Sequence, residues 1–283
     1  MLITLVANTR SGGSTDPHRI AALLERGDAR VQLVPLGELD GAGSLPAGTD
    51  RLVVAGGDGS IGVAADAARQ AGIPLAVVPT GTANDFARAH GLPEDLERAC
   101  ALAADPGAAT RHCEIGRVGE HPFVNAAAAG LSAVASRLAE PHKSRLGPLA
   151  YAVGALLAGL TAPTSPCRVR CDDRECFAGD VWQVVIGVTG AFGGGSRIGG
   201  TRCDDGRLDV AVVPAGSRAG LVRRAYGMRR GQLTAQRDVN HDRGRVIEVE
   251  LPPGTPCNVD GEVRDCHPAR FELVPGGVHL VVP

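Results

Sequence analysis

The sequence predicts two parts: an α/β domain on a parallel sheet over residues 1–110, then a β-rich domain over 111–275. Residues 276–283 are expected to return to the first domain as a strand. Three observations support this. In the first third, continuous apolar runs bounded by glycine loops alternate with helical segments, the pattern of strands covered on both faces. Beyond about Thr110 the helices thin out and short apolar runs follow one another between turns. Finally, the run Leu52–Ala55 stops at Gly56-Gly57-Asp58-Gly59-Ser60, a glycine turn that opens a helix.

Leu2–Ala7 reads as the first buried strand, followed by the loop Asn8–Gly13. Asp16 then caps a helix through Leu24, with Pro17 in the first turn, where its missing N–H does no harm. Val31–Val34, Leu52–Ala55 and Leu75–Val78 are the next strands, and Ser60–Ala71, Asn84–His90 and Asp95–Ala104 the next helices. The glycine loops fall at the carboxyl ends of strands, where parallel sheets bind ligands. In the second part Phe123–Ala128, Arg168–Cys171, Val181–Val188, Leu208–Val213, Val246–Leu251 and Phe271–Val274 read as strands. Leu149–Gly159 and Ala219–Gly227 read as helices, and Val278–Val282 as the returning strand.

A chain of 283 residues with 44% hydrophobic and 21% charged residues suits a globular protein with a real core. A net charge of −2 and 3% aromatics argue against nucleic acid as a partner, because backbone attraction and base stacking both lack their residues. The start Met1–Ala7 has no basic segment and is not expected to be a secretory signal. Leu149–Leu160 is too short to span a bilayer. The expected location is cytoplasmic. The eight cysteines, Cys100, Cys113, Cys167, Cys171, Cys176, Cys203, Cys257 and Cys266, contain no C-x-x-C pair and read as free thiols.

The turn Gly56–Gly62 carries the chemistry. Glycines let backbone N–H groups approach an anion, and the helix that follows adds its positive end. Asp58 would repel a bare phosphate, so the turn implies a Mg²⁺–nucleotide. Gly57-Asp58-Gly59-Ser60-Ile61-Gly62 also fits the dinucleotide fingerprint, but no acid closes the following strand to hold a ribose. A glycine turn of purely structural use is the third reading.

A second strand–turn–helix motif, Pro79-Thr80-Gly81-Thr82-Ala83-Asn84-Asp85-Phe86-Ala87-Arg88, follows the first. Together they resemble the catalytic domain of the diacylglycerol kinase family, particularly the bacterial diacylglycerol and YegS-like lipid kinases. Arg145–Tyr151, Gly193–Gly195, Asp204–Val210 and Val259–Glu262 match later family signatures in order. The resemblance implies an N-terminal NAD-kinase/diacylglycerol-kinase-like α/β nucleotide-binding domain and a C-terminal β-sandwich. It implies an ATP- and Mg²⁺-dependent transfer of the γ-phosphoryl group to a hydroxyl of a lipid such as diacylglycerol or phosphatidylglycerol.

Position by position, the resemblance places Asn8, Ser11, Gly12, Gly56, Gly57, Asp58, Gly59, Ser60, Gly62 and Thr82 around ATP, with Asp58 facing the catalytic Mg²⁺. Glu262 is the implied base and Asp260 its helper, although two carboxylates around Gly261 also describe an ordinary hairpin tip. A structural Mg²⁺ is implied on Asp205 and the carbonyls of Arg202 and Arg207. Peripheral contact with the inner face of the membrane and a homodimer complete the expectation. Two rivals stay open: a non-catalytic nucleotide or lipid binder, and a kinase for a soluble acceptor such as NAD.

Overall fold

The structure is a computed structural model and describes all residues except 8–14, 27–28, 140, 142–157, 160, 193–194, 219, 222–229, 231 and 265–268. The chain divides into two compact units, Met1–Ile115 with Val274–Pro283, and Gly116–Leu273.

The first unit runs β1 (Leu2–Ala7), α1 (Pro17–Leu24), β2 (Arg30–Pro35), β3 (Arg51–Gly56), α2 (Asp58–Ala71), β4 (Leu75–Pro79), α3 (Asp85–His90), α4 (Leu96–Ala104) and β5 (Ala109–Cys113). The last strand of the chain, β19 (Val278–Val282), closes it. The six strands lie in the order β2-β1-β3-β4-β19-β5, with every neighbouring pair parallel except β19 and β5. β3 is buried at all its positions, which is why its run from Leu52 to Gly56 is continuously apolar, while the buried Arg51 donates to the carbonyls of Ala103 and Asp105. Ile3, Leu5, Val53, Ala76 and Val78 pack with Ile20 and Leu24 of α1 and with Ala99 and Ala103 of α4 in one core.

Local chemistry sets the helix ends. Asp16 caps α1 by accepting from His18 N at 2.9 Å, and Asp95 caps α4 by accepting from Arg98 N at 2.9 Å. The glycine-rich connection ahead of β3 forms two single 3₁₀ turns, Leu36–Glu38 and Ala42–Ser44. The second turn is tied to α2 by Ala42 N donating to Gln70 Oε1. The sequence boundary at residue 110 falls inside β5, which pairs with β19 and stays in the first unit.

The second unit runs β6 (Gly116–Val118), β7 (His121–Phe123), β8 (Ala126–Gly130), α5 (Leu131–Ala139), β9 (Ser165–Cys171), β10 (Arg174–Gly187), β11 (Ala191–Phe192) and β12 (Ser196–Arg197). It continues with β13 (Leu208–Pro214), β14 (Asn240–Gly244), β15 (Val246–Glu250), β16 (Cys257–Val259), β17 (Glu262–Arg264) and β18 (Ala269–Leu273). Eleven of these strands form one antiparallel sheet around a core that includes Phe123, Val169, Val184, Ile186, Val210, Ile247 and Phe271. A second cluster, with Trp182, Val185, Ala211, Val213 and Leu233, covers the other face.

Several elements differ from expectation. Phe123–Ala128 is two strands, interrupted where the Asp260 carboxylate takes the backbone N–H groups of Val124, Asn125 and Ala126. β10 starts seven residues before Val181, because its polar first half is the exposed arm of a hairpin with β9. α5 and the short polar strands β14 and β17 carry no continuous apolar run and are absent from the sequence reading. Almost all of Leu149–Gly159 and Ala219–Gly227 lies outside the described residues.

Candidate active site

In the first unit β3 and β4 are parallel neighbours with Gly56 opposite Pro79, so their two glycine turns emerge side by side. Thr80 N donates to Gly56 O at 3.0 Å and extends the ladder into the turns. A Cβ on Gly81 would stand 2.5 Å from Gly57 Cα, so only glycine allows this approach. Gly56, Gly57, Asp58, Gly59, Ser60 and Gly62 thus gather at the N-terminus of the fourteen-residue helix α2. Thr82 is exposed in the second turn. Asn8, Ser11 and Gly12 lie outside the described residues.

Asp58 joins the two turns. Its Oδ2 accepts from Asp85 N at 3.1 Å and its Oδ1 from Phe86 N at 2.9 Å, which satisfies two orphan donors at the start of α3. Asn84, the N-cap residue of that helix, sits at φ +49° and turns its Oδ1 back to accept from Gly81 N at 3.0 Å. The capping therefore comes from the neighbouring turn. One carboxylate at a glycine turn is also the donor set Mg²⁺ takes in phosphate sites, where the ion keeps waters and phosphate oxygens as its other ligands.

In the second unit Asp260 and Gly261 form a two-residue turn between β16 and β17, with φ +45° and +94°. Positive φ at both central residues is the type I′ geometry that Asp-Gly favours. The Asp260 carboxylate anchors this turn. Its Oδ2 accepts from Val124 N at 2.7 Å and its Oδ1 from Asn125 N and Ala126 N at 3.0 Å each, pinning the hairpin to the start of β8. Glu262 opens β17 with its side chain half exposed and ion-paired to Arg264. His121 lies in the field of both: burial and Arg264 hold its pKa below the ordinary value, while Glu262 opposes them. His121 and Arg264 were missed in the sequence, since neither belongs to a motif.

Around the third motif, Asp204 pairs with Arg202 at 3.2 Å and Asp205 pairs with Arg243. Arg243 Nε also lies 3.2 Å from Asp209 Oδ1, which meets His241 Nε2 at 2.6 Å. His241 and Arg243 stand two residues apart on one face of β14, the face that Asp209 of β13 shares through its register with Arg243, an arrangement visible only once those strands pair. A guanidinium thus already neutralises the carboxylate assigned to a structural cation. Asp205 Oδ1 is nevertheless buried without a hydrogen-bond partner.

Comparison with known proteins identifies both units. Residues 3–118 match the diacylglycerol kinase catalytic domain, and residues 125–282 match the YegS C-terminal NAD kinase beta sandwich-like domain. A probable lipid kinase YegS-like of Pseudomonas aeruginosa is 36% identical over 251 residues, covering 85% of this chain and 79% of that protein. A diacylglycerol kinase of Mycobacterium tuberculosis is 30% identical over 278 residues, covering 93% and 88%. The crystal structure of a putative diacylglycerol kinase from Bacillus anthracis superposes with TM-score 0.79 at 21% identity, covering 99% and 96%. An NAD kinase from Archaeoglobus fulgidus, solved with ATP, shares the fold at TM-score 0.54 and 15% identity, covering 99% of this chain and 93% of that chain. With both of its units matched in order, the chain belongs to the diacylglycerol kinase family of YegS-like lipid kinases.

Proposed function

We propose that this lipid kinase takes the γ-phosphoryl group of ATP, as its Mg²⁺ complex, and passes it to a hydroxyl of a diacylglycerol- or phosphatidylglycerol-like lipid. The observation that carries this reading is the pair of interlocked glycine turns, joined by Asp58, at the N-terminus of α2. Backbone N–H groups and the helix end suit the phosphates, with Gly57, Gly59, Ser60 and Gly62 at the approach and Thr82 on the second turn. Mg²⁺, held through Asp58, would neutralise charge on the transferred group. Glu262 is the base that accepts the lipid hydroxyl proton, and Arg264 is ion-paired beside it.

Asp260 serves by fixing the hairpin on which Glu262 stands. Among the described residues no helix is long and apolar enough to cross a membrane. An acceptor buried in a bilayer therefore calls for peripheral contact, placed on the inner face because ATP is there. A homodimer is part of the same reading, and the net charge of −2 supports leaving nucleic acid out of it.

Incubating the protein with γ-labelled ATP, Mg²⁺ and a panel of lipids in detergent tests the proposal. Label is expected in a diacylglycerol or phosphatidylglycerol product. Glu262→Gln should lower transfer by about 10²–10⁴-fold. Its melting temperature should hold, since Glu262 is half exposed. Wild-type turnover in Glu262→Gln removes the base assignment. Phosphorylation of NAD without lipid would replace the acceptor, and nucleotide binding without transfer to any lipid would favour a binder.

A further inference from the structure

Cys171 ends β9 and Cys176 lies near the start of β10, on the two arms of one hairpin. Cys171 pairs in register with Arg174, leaving Asp172 and Asp173 as a two-residue turn with φ +47° and +67°. Asp172 anchors the turn by accepting from Arg245 N at 2.9 Å and Val246 N at 3.0 Å. The register of β10 shifts between Glu175 and Phe177, so Cys176 is the extra residue of a bulge. A bulge re-aims a side chain. Here the Cys176 thiol packs against the core that contains Cys171, and the two Sγ atoms stand 3.2 Å apart.

A disulfide bond is about 2.05 Å long, so closure requires an approach of roughly 1.2 Å, within the play of two χ1 rotations. Cys171 is buried and Cys176 half-buried, so an oxidant reaches Cys176 first. Burial and the carboxylate of Asp242 raise the pKa of both thiols. Their reaction is accordingly slow, unlike that of a low-pKa sensor cysteine.

We propose that Cys171 and Cys176 form a reversible dithiol site, which a hydroperoxide closes to a disulfide. The Cys176 thiol attacks the peroxide O–O bond, giving a sulfenic acid and releasing the alcohol, or water when the oxidant is hydrogen peroxide. Cys171 sulfur then displaces the hydroxyl of the sulfenic acid. The S–S bond forms, the S–O bond breaks, and the thiol proton leaves with hydroxide as a second water. Each cysteine sulfur gives up one electron overall and the peroxide takes two. A dithiol reductant reopens the bridge by exchange.

The sequence makes the product easy to identify. Arg170, Arg174 and Arg197 place the two cysteines on separate tryptic peptides, 171–174 and 175–197, and Arg145 and Arg168 put Cys167 on a third, 146–168. The full native chain is treated with hydrogen peroxide, unfolded with an alkylating agent present, digested and weighed. The expected species is 171–174 joined to 175–197, lighter by two hydrogens than the separate peptides. It should vanish after dithiothreitol and be absent from Cys171→Ser and from Cys176→Ser. The oxidised protein should also melt higher, because the bridge restricts the unfolded hairpin.

Recovery of alkylated Cys171 and Cys176 after oxidant would overturn the proposal. A bridge from Cys176 to Cys167 would do the same, as would accumulation of sulfinic acid at Cys176. One equivalent of zinc carried by the purified protein and blocking the oxidation would show a metal site instead, given that Asp242 also lies near these sulfurs.

Discussion

Replacing His90 with glutamine should flatten the acid limb of the stability curve. His90 ends α3 and is buried against the Phe86 ring, with 4.3 Å between ring centroids. Its Nδ1 faces Arg111 Nη2 at 3.0 Å. A guanidinium only donates, so Nδ1 must accept and the ring must be neutral, with its proton on Nε2 toward Cys113 Sγ. Burial first, and the Arg111 charge second, lower the His90 pKa from 6.5 to about 4.

The folded value lies below the unfolded one, so this contribution is complete above pH 6.5 and is lost as pH falls toward 4. Integrated down to pH 4.5, the loss is roughly 2–3 kcal/mol, a large share of an ordinary domain's stability. Urea unfolding of wild type and His90→Gln at pH 7.5, 6, 5 and 4.5 measures it. Carboxylates titrate in both proteins, so the difference between the two curves isolates the histidine. It should shift by roughly 2–3 kcal/mol in favour of the variant on acidification. Parallel curves would refute the reasoning and mean that the ring is hydrated or already charged in the native protein.

Asp260→Ala removes a carboxylate from three backbone N–H groups and should cost at least about 3 kcal/mol in chemical unfolding, with Asp260→Asn in between. An Ala variant as stable as wild type would show that water replaces the anchor. Gly81→Ala drives a methyl onto Gly57 Cα and should abolish ATP binding in calorimetry while the second unit still folds; unchanged affinity would separate the two turns. Arg243→Met takes the guanidinium from Asp205 and Asp209. In nucleotide-free protein, added Mg²⁺ should then raise the melting temperature by several degrees, against about one in wild type, because about 1 kcal/mol moves a domain of this size by a few degrees. A chelator that melts the wild type would instead show a resident ion.

Much of the first unit was legible because its signals are local. β1, β3 and β4 are buried on both faces and read as apolar runs, and α1 and α4 begin at aspartates that cap their own helices. The glycine turn at the head of α2 was equally plain. The second unit was less so, since β14 and β17 are polar strands defined by their partners and α5 follows directly on β8. The roles of acidic residues were the least legible. Asp58 and Asp260 look like reactive groups in a motif, yet both carboxylates take backbone N–H groups from distant segments.

By itself, then, the sequence determined where strands stop and helices start in the first unit, and that a glycine turn stands at the junction of β3 and α2. Spacing, capping and glycine placement act over a few residues and are written in order along the chain. Only the tertiary structure decided what each carboxylate holds, that Arg243 lies against Asp205, and that Cys171 and Cys176 meet. Those outcomes depend on strand register and on a bulge, which bring residues together according to pairing partners rather than by their distance along the chain.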